Sequence, residues 1–209
     1  MSGAAAVTMG KGTPVYIANS DGNQPSGKPL VITLPGTTTA NDLLVGFMAV
    51  QNNVAASWAA GDASPGFTNR LDQGARPSMH FATRTDSGGD GDPTFTSSAT
   101  AALGGVLMRW RLARFDVAGT AATISADGTL TIPGITSAGG MVIAAIFAET
   151  GQTPVFATPS GFTQIYNATT TGTRIGLYYK AFPPGATGAV TSAITGVSTL
   201  VGGVLLGLK

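Results

Sequence analysis

The chain contains no cysteine, one histidine (His80) and one glutamate (Glu149). Without cysteine, disulfide staples, thiolate metal centres and cysteine nucleophiles are excluded. Charged residues are scarce, at 10% of 209, against roughly 25% in an ordinary globular domain. The net charge is +1, which makes no electrostatic case for nucleic acid or for an anionic membrane surface. No apolar run approaches the roughly 20 residues of a membrane-spanning helix. The opening MSGAAAVTMGKG lacks the charged region and apolar stretch of a signal peptide. A protein made in a cytoplasm, without membrane insertion, is expected.

What fills the chain instead is Gly (30 residues), Pro (12), Thr, Ser and Ala. Strong helix formers of the Glu, Lys and Gln type are few, while β-branched residues and turn formers abound, so the fold is predicted to be all-β. With so few charges, exposed faces must be covered by Thr, Ser, Ala and Gly, a surface suited to burial against other subunits.

The strongest pattern is internal. VITLPGTTTANDLLVGFMAV at 31–50 shares its plan with TLTIPGITSAGGMVIAAIFA at 129–148. Further on, Pro65-Gly66-Phe67-Thr68 corresponds to Ser160-Gly161-Phe162-Thr163, and Gly104-Gly105-Val106-Leu107 to Gly202-Gly203-Val204-Leu205. Thr94-Phe95-Thr96-Ser97 likewise matches Ala189-Val190-Thr191-Ser192, and the region of Met79 matches 174–180. The offsets stay between 95 and 98 residues. The expected architecture is an antiparallel, jelly-roll-like β-sandwich of two pseudo-repeats, 29–116 and 129–209, with about six strands each. One large sandwich over 29–209 is expected rather than two free domains. Residues 1–28 are expected to form an N-terminal arm or edge strand, with a strand at 13–18 and turn chemistry at 19–23. Residues 117–127 read as a linker or connecting strand. The runs at 43–50 and 141–148 read as strands covered on both faces and as the centre of the core. The alternation in PTFTSS and MRWRL suggests strands with one wet face.

Chemistry is harder to find. His80 has no carboxylate or nucleophile at a useful spacing, so a half-exposed strand histidine is expected. Asp86, Asp90 and Asp92 in DSGGDGD invite a calcium-loop reading, but the bidentate Glu of an EF-hand is missing and a solvated hairpin loop fits better. Arg109, Arg111 and Arg114 cluster around Trp110. They read either as a solvated or inter-subunit face or as a groove for phosphate or nucleic acid. Gly10-Lys11-Gly12 lacks the spacing of a phosphate loop. Trp58, Trp110, Tyr166, Tyr178 and Tyr179 either stack on sugars, as in lectin-like sandwiches, or pack the core. A catalytic carboxylate pair for sugar hydrolysis stays an open alternative, since such a pair is brought together in space, although the ten acids lie mostly at loop-like positions.

Several segments do resemble a known family. Pro159-Ser160-Gly161-Phe162-Thr163-Gln164-Ile165, Leu177-Tyr178-Tyr179-Lys180-Ala181, Gly185-Ala186-Thr187-Gly188-Ala189 and the closing Gly203-Val204-Leu205-Leu206-Gly207-Leu208-Lys209 are similar to structural proteins of tailed bacteriophages and prophages. Asn41-Asp42-Leu43-Leu44-Val45-Gly46-Phe47 resembles a strand of the same family. The likeness spans about 29–209. It departs at Phe67 and Phe162, where the family often carries Trp, and at His80-Phe81-Ala82, where a Tyr-Tyr-Lys triplet would be expected. The resemblance implies a tail-fibre, head-fibre or capsid-surface protein located in the virion. It implies a non-enzymatic subunit whose partners are copies of itself and neighbouring virion proteins, with a host-surface glycan as partner in the alternative reading of a carbohydrate-binding or receptor-binding module. It brings no catalytic motif, so no catalytic, cofactor or metal residue is assigned, and no nucleic-acid partner is expected.

Overall fold

The computed structural model describes residues 12–25, 29–37, 39–51, 58–61, 66–89, 91–98, 100–149, 154–170, 173–196 and 200–209, with backbone only at 58–61 and 170. Among them the chain is all-β, with antiparallel pairing throughout. No described helix is long and apolar enough to cross a membrane.

The first half contains β1 (Val15–Gln24), β2 (Leu30–Val31), β3 (Leu43–Val50), β4 (Trp58–Gly61), β5 (Thr68–Gln73), β6 (Met79–Thr85), β7 (Thr94–Ser97) and β8 (Leu103–Arg111). Their pairing is nested: β1 with β8, β2 with β7, β3 with β6, and β4 beside β5. This is the connectivity of a jelly roll, in which a long hairpin is folded over on itself. The result is a five-stranded sheet, β1-β8-β3-β6-β5, faced by a three-stranded one, β2-β7-β4.

The second half repeats the nesting. Two short strands, β9 (Phe115–Ala118) and β10 (Ala122–Ile124), both pair with the last strand, β19 (Val201–Leu208). Inside them β11 (Gly128–Ile132) pairs with β18 (Val190–Thr195), and β12 (Thr136–Ser137) with β17 (Gly185–Ala186). Innermost are β13 (Gly140–Ala148) with β16 (Thr173–Phe182), followed by β14 (Val155–Phe156) and β15 (Thr163–Thr170). The sheets are β10-β19-β13-β16-β15 with β9 also on β19, β11-β18-β14, and the small β12-β17 pair.

Details of register agree between halves. Gly46 sits between Leu107 and Ala82, and Ala144 between Leu205 and Tyr178. A bulge interrupts β5 against β6 between Asn69 and Leu71, and another interrupts β15 against β16 between Gln164 and Tyr166. A left-handed residue precedes the first central strand in each half: Asn41 at φ 73° and Gly139 at φ 92°. Asn is among the few residues other than Gly that tolerate this region.

The large sheets of the two halves lie face to face, giving four layers and three cores. The middle core joins Val45, Phe47, Phe81 and Trp110 to Ile143, Phe147, Leu177 and Leu206. Residues that alternate with these point outward. Leu44, Met48 and Leu107 pack on Leu30, Ile32 and Phe95 of the first half's small sheet. Val142, Ile146 and Leu205 pack on Leu130, Ile132 and Ile194 of the second half's. Every residue of β3 is buried, as the unbroken apolar run at 43–50 requires.

Three local expectations change. Residues 19–23 form no turn; Asn19 to Asn23 extend β1 along β8 from Met108 to Gly104, because a full ladder on a central strand overrides turn propensity. β8 has no wet face along most of its length, since a sheet covers each side. The halves hold more strands than the six foreseen, because short edge pairs extend each nested hairpin.

The paired glycines explain how the layers approach. A Cβ on Gly105 would lie 2.9 Å from Leu30 Cδ2, and one on Gly203 2.8 Å from Ile132 Cδ1. Replacing Gly203 by Val should therefore cost about 1–3 kcal/mol by overpacking, measured by chemical denaturation. Because the halves share the middle core, they are expected to unfold in one transition with matching calorimetric and van't Hoff enthalpies. Two resolved transitions would contradict the shared core.

Candidate functional site

The densest polar arrangement lies where β3 begins and β8 ends. Asp42, directly before β3, is almost fully buried, and its carboxylate takes two guanidinium groups. Arg109 Nε donates to Asp42 Oδ2 at 2.6 Å, and Arg111 Nε donates to Oδ1 at 3.1 Å. Arg109 also donates through Nη1 to the Thr37 carbonyl and through Nη2 to Thr39 Oγ1 at 2.9 Å. The two arginines share a face of β8 because they are two residues apart, and Trp110 between them points the other way. Burial pushes the Asp42 carboxyl up, but hydrogen bonds from Arg111 and Arg109, with their charges, outweigh it and leave it below the usual range.

Beyond Arg111 the chain turns at Leu112, a leucine with φ 56° that is 61% exposed. A bulky side chain rarely adopts this conformation. Arg114 then exchanges backbone hydrogen bonds with Lys209, at 2.7 and 2.9 Å. Lys209 Nζ reaches Asp116 Oδ1 at 3.2 Å. From the neighbouring edge, Arg70 sits in the bulge of β5, donates to Thr83 Oγ1 at 2.7 Å, and lies 4.3 Å over the Phe115 ring. Asp42, Arg70, Arg111, Leu112, Arg114 and Lys209 line an open cleft of about 1120 Å³.

The sequence candidates meet different fates. Arg111 and Arg114 line the cleft, whereas Arg109 is buried beside it and is no part of a solvated face. Trp110 is wholly buried, edge-on to Tyr16 at 5.4 Å and to Tyr179 at 5.6 Å, which removes it from sugar stacking. Tyr178 is buried in the second half's outer core, and Tyr166 is partly buried with its hydroxyl donating to Asp21 at 2.8 Å. The side chain of Trp58, Asp90, and the residues Gly10 and Lys11 lie outside the described residues.

Asp86 and Asp92 hold backbone rather than one another. Asp86 Oδ1 accepts from Gly88 N at 2.9 Å, and Asp92 Oδ1 accepts from Leu34 N at 2.8 Å. No cluster of three metal-ligating side chains occurs among the described residues.

His80 is a correction: it is fully buried, not half exposed, because a second layer covers its face of β6. Burial lowers its pKa to about 4, against the opposing charge of Asp72 at 4.0 Å. Asp42, Arg70 and Lys209 were not singled out from sequence. Asp42 carried a usable signal, since a carboxylate abutting a buried strand needs a cation.

Two outcomes follow. Changing Asp42 to Asn should cost about 3–5 kcal/mol by leaving Arg109 buried without its counter-charge. In the wild type the stabilisation from Asp42 is complete above the unfolded carboxyl pKa and is lost as pH falls through the lower folded value. His80 acts in a separate window. Its folded pKa lies below the unfolded value of 6.5, so the unfolded chain takes up the proton first and stability falls on acidification from about 6.5 towards about 4. A His80→Leu variant should flatten that slope in urea titrations across the window. No family model, curated protein or solved structure matches the chain.

Proposed function

We propose that the protein is a structural subunit of a bacteriophage or phage-like particle, a head-surface decoration or fibre or a tail-fibre component, held by contacts with copies of itself and with neighbouring virion proteins. The observation that carries this reading is the outer edge of β1. Among the described residues it is the end strand of a central sheet with no further strand on its outer side, and it presents Val15 (48% exposed) and Ile17 (38% exposed). Such an edge in a monomer invites strand addition, and proteins ordinarily blunt it with charge or proline. β1 carries one charge in ten residues, Asp21, which bonds Tyr166.

Jelly rolls recur in viral capsid and lectin domains, which is in keeping with the proposal. The matching nesting, bulges and register of the two halves support reading them as pseudo-repeats of one ancestral unit. Duplication of a sandwich doubles the surface available for lateral contacts.

Quantitative mass spectrometry of purified particles from the producing strain tests the assignment. The chain is expected as a stoichiometric particle component, and its absence from particles would refute the proposal. An Ile17→Lys variant should lower self-association or incorporation while changing unfolding free energy by no more than about 0.5 kcal/mol, as for other surface substitutions.

A further inference from the structure

Five of the chain's eleven Lys and Arg residues line the cleft at the β3–β8 end: Arg70, Arg84, Arg111, Arg114 and Lys209. Among the described residues one acid, Asp42, shares that lining. Among the described residues the lining thus holds an excess of four positive charges in a chain of +1 overall, and Asp116, just outside the lining, offsets one of them through Lys209. A cleft with low-dielectric walls focuses such a field towards anions.

The cations are held at known angles rather than left to solvent. Arg111 gives Nε and Nη2 to Asp42 and Thr39, at 3.1 and 3.3 Å, and is 46% exposed. Among the described residues its Nη1 has no partner. Arg70 is fixed by Thr83 through Nε and by the Phe115 ring beneath its guanidinium, so its two terminal nitrogens are presented. Arg114 is exposed, and its backbone is pinned to Lys209. The strained turn at Leu112 separates Arg111 from Arg114 and aims both at the one opening.

We propose that this cleft is a binding site for a multiply charged oxyanion, a ligand carrying two or more phosphate or carboxylate groups. The paired terminal nitrogens of Arg70 can take either group through two parallel hydrogen bonds, Arg111 adds a single donor from Nη1, and the spread of Arg70, Arg111 and Arg114 asks for more than one anionic group. Among the described residues the lining offers no open aromatic platform. Trp110 is in the core and Arg70 covers the Phe115 ring, so base stacking of the kind that holds single-stranded nucleic acid has no seat. The inference does not depend on the particle assignment, because the site is formed within one chain.

Isothermal titration at about 50 mM salt with inorganic tripolyphosphate, with oligogalacturonate and with a short oligothymidylate tests it. Tripolyphosphate or the uronate is expected to bind, and the preferred one separates a phosphate source from a carboxylate source. Affinity should drop at least tenfold in the Arg70→Gln/Arg114→Gln double variant and fall as salt rises. Arg114→Gln alone, at an exposed position, gives a second reading should the double variant unfold, with a several-fold loss expected. Binding by neither oxyanion probe, binding undiminished in a folded variant, or binding of the oligothymidylate alone would overturn the proposal.

Discussion

The structure depends on apolar contact between the two large sheets. Phe47 meets Phe81 at 4.8 Å within the first half and Phe147 at 5.9 Å across the interface. Neither half can leave that face in water: with charge so scarce, each half alone would expose a continuous strip of Val, Phe, Leu and Ile. At ~25 cal/mol per Å² of apolar surface removed from water, a face of this kind dominates over any single polar contact in the molecule. Polar ties such as Tyr166 to Asp21, or Arg76 to Glu149 at 3.7 Å, fasten the rim of the interface rather than drive it.

The same scarcity of charge shapes the polar chemistry. Where a carboxylate is buried it is committed to holding the fold. Asp42 ties down both arginines at the end of β8 with one negative charge, Asp86 caps its own turn, and Asp116 accepts from Ser137 Oγ at 3.0 Å and from Ala138 N at 2.6 Å while meeting Lys209. The concentration of cations around one cleft stands out because the rest of the surface is so plain. A phage-like structural role and an anion-binding cleft are compatible, since assembly would use sheet edges and the cleft opens at the strand ends.

Much of the architecture was legible in sequence because apolar runs that lack alternation can only be strands covered twice. The runs at 43–50 and 141–148 read that way, and they became the central strands. The glycine pairs Gly104-Gly105 and Gly202-Gly203 were visible as matching motifs, and their reason emerged only when the small sheets were seen pressing on them. Residues 19–23 misled because Asn, Asp and Gly favour turns locally, and nothing in their identity discloses a distant partner at 104–108. His80 misled for a related reason: alternation gives the face a residue occupies but not whether another layer lies over it. The cleft was half legible. Arg111 and Arg114 stood out by clustering, while Arg70 and Lys209 reach it from strands far away in the chain.

Nested pairing also fixes an order of events during synthesis. Within the first half, β1 has its ladder partner only when β8 has emerged, and by then the whole first jelly roll is present. Its inner face, however, waits for residues up to Leu208. At the ribosomal rates of roughly 5–20 residues per second, that leaves a finished but half-naked sandwich for on the order of 5–20 seconds. The chain must therefore be shielded, or fold its second half quickly, through an interval in which its most apolar surface has no cover.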